Sequence, residues 1–226
     1  MAGLAGGLAI GRRVARFPRP MPHLRGWQAA LAGTRGTVPA ALLAARIQEH
    51  YDALYAGRPR FRQRALRAHL AGFLLPGLAL YRALCDEGAG PQAALDEVDR
   101  LFAASLQRPA VRAAVGLLER LPDPFAVLRT GNRLAMRWVF PSAGWSTEWL
   151  EDGEQAVAYN IHACFYNRML SAYGAPELAA SFCRLDDLLY GSLPGIAWQR
   201  TQTIGRGDRC CDFRFSPATG RALSKS

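Results

Sequence analysis

Apolar residues recur at helical spacing from Pro39 to Leu121, and past the step Leu121-Pro122-Asp123-Pro124 the period shortens. In the first part, Leu42, Leu43, Ile47, Tyr51 and Leu54 predict an amphipathic helix over 39–56, with Pro39 suited to a first turn. After the Gly57-Arg58-Pro59 break, Leu66, Leu70, Phe73, Leu74, Leu78, Tyr81 and Leu84 predict a second over 65–87, kinked or split by Pro76. Two more follow over 91–106 and 109–121, each opening on a proline. Prolines 122 and 124 bias their predecessors away from helix, so an internal boundary is expected there.

Beyond it, 134–140 and 156–161 have strand-like composition, with 145–153 read as a turn-bearing connection. Helices are expected over 163–173 and 176–190, separated by Gly174. Strands over 196–204 and 209–215, joined by Gly205-Arg206-Gly207-Asp208, predict a terminal hairpin. The expected class is α+β: an N-terminal helical region (36–121) packed on a small C-terminal mixed layer (122–218) with an antiparallel sheet, as one folded unit. Residues 1–35, rich in Gly, Pro and Arg, are expected to be poorly ordered, and 219–226 to form a flexible tail.

The formal charge of +10 invites a nucleic-acid reading, yet the only lysine is Lys225, and an arginine excess beside abundant Ala, Gly and Pro is what GC-rich coding produces. The densest run, Arg58, Arg60, Arg62, Arg64 and Arg67, has little aromatic interleaving beyond Phe61 and reads as a solvated face. Half the residues are hydrophobic and 20% charged, which reads as too polar per window for a membrane span. Five cysteines, an odd number without framework spacing, indicate a reducing compartment. Leu4–Ile10 is short and precedes Arg12 and Arg13, the reverse of a secretory signal, so a cytoplasmic protein is expected. The expected partner is a small-molecule substrate, with neither nucleic acid nor membrane and with homo-oligomerisation left open.

Polar and thiol groups concentrate between Tyr159 and Phe215. Strand alternation puts Cys211 with Phe213 and Phe215 on one face, and Cys210 with Asp212 and Arg214 on the other. The same alternation groups Gln199, Thr201 and Thr203 against Arg200 and Gln202. On the helix carrying Cys183, Asp186 and Asp187 follow at three and four residues, which sets at least one carboxylate beside the thiol. Asn160 precedes His162 by two on a strand face and is placed to orient it, and Trp138, Trp145, Trp149 and Trp198 are candidates to line a pocket for a planar ring.

Leu80-Tyr81-Arg82-Ala83-Leu84, Gly88, Ala94, Cys164, Gly174, Pro176-Glu177-Leu178, Cys183, Asp186, Arg200-Thr201, Thr203, Gly207 and Cys211-Asp212-Phe213, in this order and spacing, resemble the L-2-amino-thiazoline-4-carboxylic acid hydrolase family. The likeness runs from about Ile47 to Phe215. It implies a bacterial, cytosolic enzyme that opens a cyclic 2-aminothiazoline ring through a carbamoyl-cysteine to L-cysteine; separately, neither cofactor nor metal is expected. A thiolate is the best nucleophile the sequence offers. Cys211 is the preferred one, with Asp186 or His162 handling protons, Cys183 supporting, and Arg200 pairing with the substrate carboxylate. Thr201, Thr203, Cys164 and Asn160 complete the expected binding set.

Three other readings fit the same residues. Cys164, Cys183, Cys211 and His162 include enough soft or borderline ligands for a zinc site, although no Cys-x-x-Cys pair is present. The C-terminal layer also looks like the 4-vinyl reductase type of ligand-binding domain, which would make the protein a sensor. A biosynthetic enzyme of the same family acting on a different cyclic amidine, thioimidate or lactam is the third.

Overall fold

Pro76 shapes the centre of the helical region. The computed structural model describes residues 20–218, and within it α1 (Leu24–Arg35), α2 (Thr37–Ala56), α3 (Arg64–His69), α4 (Leu75–Asp86), α5 (Pro91–Leu106) and α6 (Pro109–Glu119) follow in order. Rather than splitting its helix, Pro76 is accommodated by a π turn at Leu70–Leu74, so that the helix runs on from Arg64 to Asp86. The carbonyls loosened by that turn find side-chain partners: Tyr51 donates its hydroxyl to Ala71 O at 3.0 Å, and His23 Nε2 lies 3.0 Å from Gly72 O.

Two expectations change here. By length and composition, Arg64–Asp86 is apolar enough to cross a membrane, contrary to the sequence reading; about 67% of its apolar window is buried inside the protein, which accounts for its composition. Residues 24–35 form α1 rather than part of an unstructured extension, because Trp27 and Leu31 stand one turn apart and are both buried. Residues 1–19 and 219–226 lie outside the described residues.

The second half contains α7 (Pro124–Trp138), β1 (Ser146–Asp152), β2 (Val157–Ala163), α8 (Phe165–Ala172), a 3-10 turn at Pro176–Leu178, α9 (Ala179–Tyr190), β3 (Ile196–Gln199) and β4 (Cys211–Pro217). The strands form one antiparallel sheet in the order β1-β2-β4-β3. Residues 134–138 are helical, not a strand: Asp123 caps α7 by accepting the Ala126 N–H at 2.8 Å, Pro124 occupies its first turn, and Phe125 and Asn132, seven apart, face inward. Conversely, Ser146–Asp152 is a strand rather than a connection. Its Glu148, Glu151 and Asp152 read as loop residues but suit an edge strand, where charge blocks further pairing.

The terminal hairpin exists, but β3 stops at Gln199, which pairs with Arg214, and Arg200 to Cys210 form a loop. Asp212 ends the pairing with β3: its carboxylate accepts from Thr201 N at 2.9 Å, Gln202 N at 2.5 Å and Thr201 Oγ1 at 2.7 Å, holding the loop beside the start of β4. A buried cluster extends from Trp27 and Leu31 through Leu74, Leu78 and Val98 to Phe165, Phe213 and Phe215. The helical half meets α9 at Gly77, where a Cβ would stand 2.7 Å from the Phe182 ring and 2.9 Å from Phe102. Tyr81 donates to Glu177 at 2.7 Å and Arg82 to Tyr173 O at 2.8 Å, so these two residues of the resemblance tie α4 to the turn before α9.

Candidate active site

The sheet's inner face, carrying Tyr159 and Ile161 on β2 and Cys211 and Phe213 on β4, forms the floor of a cavity of ≈260 Å³. α7 and the segment after it, α8, α9 and the loop around Gly205 wall it in, and His69 and Phe73 reach it from the helical region. Cys164, Cys183, Asp186 and Cys211 all line this one space. Gly205 allows the closeness: a Cβ there would come within 2.7 Å of Cys183 Sγ and 3.0 Å of the Ala179 carbonyl.

Cys211 is buried and collects donors. The Ile204 N–H points at its sulfur from 3.3 Å and the Thr203 hydroxyl lies 3.6 Å away, while Cys183 lines the same cavity. The neighbouring Cys183 thiol does most to pull the Cys211 thiol below its ordinary range; burial opposes this, and Thr203 and Ile204 add to the lowering. The same interaction, with desolvation, drives Cys183 strongly upward. Cys164 is pushed up to about 11 by burial. Of the three matched thiols, Cys211 is therefore the one whose environment favours thiolate. All five cysteines are free.

Asp186 is pushed up to about 7, chiefly by desolvation, with Cys183 and Asp187 adding and Arg200 opposing. Its carboxylate borders the cavity, and its side chain is 42% exposed. Arg200 is not free to clamp a substrate. Its side chain is only 1% exposed, and it bonds to Asp187 at 2.7 Å, Cys183 O at 2.6 Å and Asp186 at 3.4 Å. It stacks against Phe213 and Trp198 and fixes the end of α9 from behind.

Several expected residues lie elsewhere. His162 and Asn160 are on the outer sheet face, where His162 Nε2 sits 2.8 Å from Glu148 and Asn160 accepts from Arg214 at 2.9 Å. Asn160 meets His162 only through Glu148, whose Oε2 its Nδ2 reaches at 3.5 Å, and the four-ligand zinc set is not assembled, since His162 and the three cysteines are on opposite sides of the sheet. No metal-binding group of three His, Cys, Asp or Glu side chains occurs among the described residues. Thr201 is exposed and turned to Asp212, whereas Thr203 is buried and turned to Cys211; once the strand ends at Gln199, alternation no longer relates them. Cys210 points away to Gln202. Of the four tryptophans only Trp145 lines the cavity, and Trp138 is 65% exposed.

The sequence reading missed His69, Tyr166 and Asn132. His69 Nε2 must carry a hydrogen for Val139 O at 2.8 Å, which leaves Nδ1 to accept from the Tyr166 hydroxyl at 2.8 Å, and burial lowers its pKa, so the ring is neutral. Asn132 accepts from Tyr159 at 3.2 Å through Oδ1, and its Nδ2 has no partner. A histidine and an asparagine on otherwise amphipathic helices carry no local sign of such a role.

The model of the L-2-amino-thiazoline-4-carboxylic acid hydrolase family matches residues 67–215, well over half of the chain. The chain belongs to this family. Every cysteine of the cavity, with Asp186 and Arg200, falls inside the stretch shared with the other hydrolase-family members, whereas α1 and α2 precede it. No curated protein matches the chain. Among solved structures, the Fe(II) unliganded H-NOX protein from K. algicida is 10% identical with a TM-score of 0.35, covering 89% of this chain and 97% of that one. A point mutant of it is 9% identical with a TM-score of 0.34, covering 89% and 98%. Neither likeness is near enough to place this chain in that fold.

Proposed function

We propose that this protein is a thiol-dependent hydrolase that opens a cyclic amidine or thioimidate ring, with Cys211 as nucleophile and Asp186 as acid and base. The observation that carries the reading is the pairing, on one cavity, of a donor-stabilised Cys211 sulfur with a carboxyl group whose affinity for protons is raised. The Cys211 thiolate adds to the ring carbon between nitrogen and sulfur. Protonated Asp186 delivers its proton to the ring heteroatom as that bond breaks, leaving a thioimidate-like adduct on Cys211. Water, deprotonated by the Asp186 carboxylate, then attacks the same carbon and expels the Cys211 thiolate, so the product carries the water oxygen as a carbonyl. Thr203 and the Ile204 N–H hold the sulfur's charge at both stages.

The test is ring opening of a 2-aminothiazoline by wild type and Cys211→Ala, with thermal unfolding to verify the fold. Turnover should fall by more than about 10³-fold. Unchanged turnover in a folded variant would remove Cys211 as nucleophile.

A further inference from the structure

Resting on the hydrolase reading, the composition of the cavity narrows what the ring can carry. Its wall is aromatic to an unusual degree for a site that handles a small amino acid derivative: Phe73, Phe140, Trp145, Tyr166, Phe182 and Phe213 all face it. No lining residue among those described is Lys or Arg. His69 is held neutral by its two partners, and Arg200, the cation next to Asp186, is already bonded to three acceptors and 1% exposed. A substrate carboxylate entering here would lose water and gain no cation. Burying a charge without a partner is far costlier than burying a neutral group.

Besides the thiols and phenols, the polar side chains left for recognition are Asp186 and the amides of Asn132 and Asn167. Asp186 faces the cavity and complements an amidine N–H or a protonated ring. The unpartnered amide nitrogen of Asn132, on a residue only 7% exposed, lies in the wall formed by α7. Whichever way that amide is turned, Tyr159 takes one end and the other is left for a ligand. The ≈260 Å³ of space approaches the roughly 300 Å³ lower end of pockets that accept drug-sized ligands. It is more room than a five-membered ring with small substituents fills.

We propose that the substrate is a neutral or cationic cyclic amidine bearing an aryl-sized apolar group and no free carboxylate, its amidine held by Asp186, its apolar group in the aromatic wall, and a polar atom bonded to the Asn132 amide. The experiment compares two 2-aminothiazolines that carry, at the same ring carbon, either a phenyl group or a carboxylate. Binding to folded Cys211→Ala, measured by calorimetry, reads the inference; turnover by wild type reads the hydrolase assignment. The phenyl ring should bind at least about 30-fold more tightly, the worth of burying one such group. Phe73→Ala, at the half-exposed cavity mouth, should weaken the phenyl compound several-fold more than the carboxylate compound. Equal or tighter binding of the carboxylate, or no measurable binding of the phenyl ring, overturns the inference even if wild type opens the carboxylate ring. Wild type opening neither ring overturns the hydrolase assignment, and the binding comparison then decides the inference by itself.

Discussion

At Cys211 the sulfur's ionisation depends on three short-range donors rather than on a neighbouring cation, since Arg200 is engaged elsewhere. Catalysis by the scheme above needs Cys211 ionised and Asp186 protonated, so kcat/KM rises with the first and falls as Asp186 loses its proton near pH 7. Asp186→Asn should lower kcat/KM by about 10²-fold or more and abolish the alkaline limb, read from pH-rate profiles; a limb that persists near pH 7 would assign it to another group. The same shift has a stability sign. The folded-state pKa lies above the unfolded value of about 3.9, so between these two the folded chain holds a proton the unfolded chain has released. The contribution is full below the lower value and is lost as pH climbs to about 7, a slope Asp186→Asn should flatten. The family resemblance is what singles out Cys211 in the sequence, and helical spacing sets Asp186 or Asp187 beside Cys183 without choosing between them. Sequence alone cannot foresee that Asp186 and Asp187 would claim Arg200, because that depends on where the chain leaves β3.

At the scale of elements, α2, α5 and α6 are legible because each has a proline in its first turn and keeps its apolar period, whereas α1, which has none there, reads as unstructured. The misread segments share one cause: local composition decided where tertiary contacts should have. Trp138, Val139 and Phe140 have strand propensity, yet 124–138 is helical because Asp123 caps it and its inward residues follow a helical period. The loop after β3 is set by Asp212, a partner ten residues or more away. That loop supplies Thr203, Ile204 and Gly205 to the site, and its seating against α9 leaves no room at Gly205. Gly205→Val should push the loop off Cys183 and remove the donors at Cys211. The expected result is a loss of about 10²-fold in kcat/KM with about 1–3 kcal/mol of stability, from turnover and urea unfolding. Wild-type rates would show that the loop adapts without disturbing the sulfur.

Across the whole molecule, packing is uneven in a way that bears on access. α2 and α4 are anchored by many fully buried side chains, including Leu43, Ile47, Leu75, Leu78 and Leu80. By contrast α6 buries none of its residues, and α7 buries Phe125 and Asn132. α7 is held to the sheet by the Arg133–Asp152 pair at 2.5 Å and the Tyr159–Asn132 bond, while Val127, Leu134 and Trp138 remain exposed. It nevertheless forms part of the cavity wall through Asn132 and Met136. Local opening follows the amount of buried apolar contact, so the 109–138 segment is where the cavity opens at least cost. Backbone amides of α6 and α7 should therefore exchange with deuterium at least about 10²-fold faster than those of α4 in the ligand-free protein. A ligand bonded to the Asn132 amide should slow exchange in α7 and leave α6 nearly as it was, because only α7 touches the cavity. Equal protection of α7 and α4 without ligand would mean that access runs instead past the half-exposed Phe73.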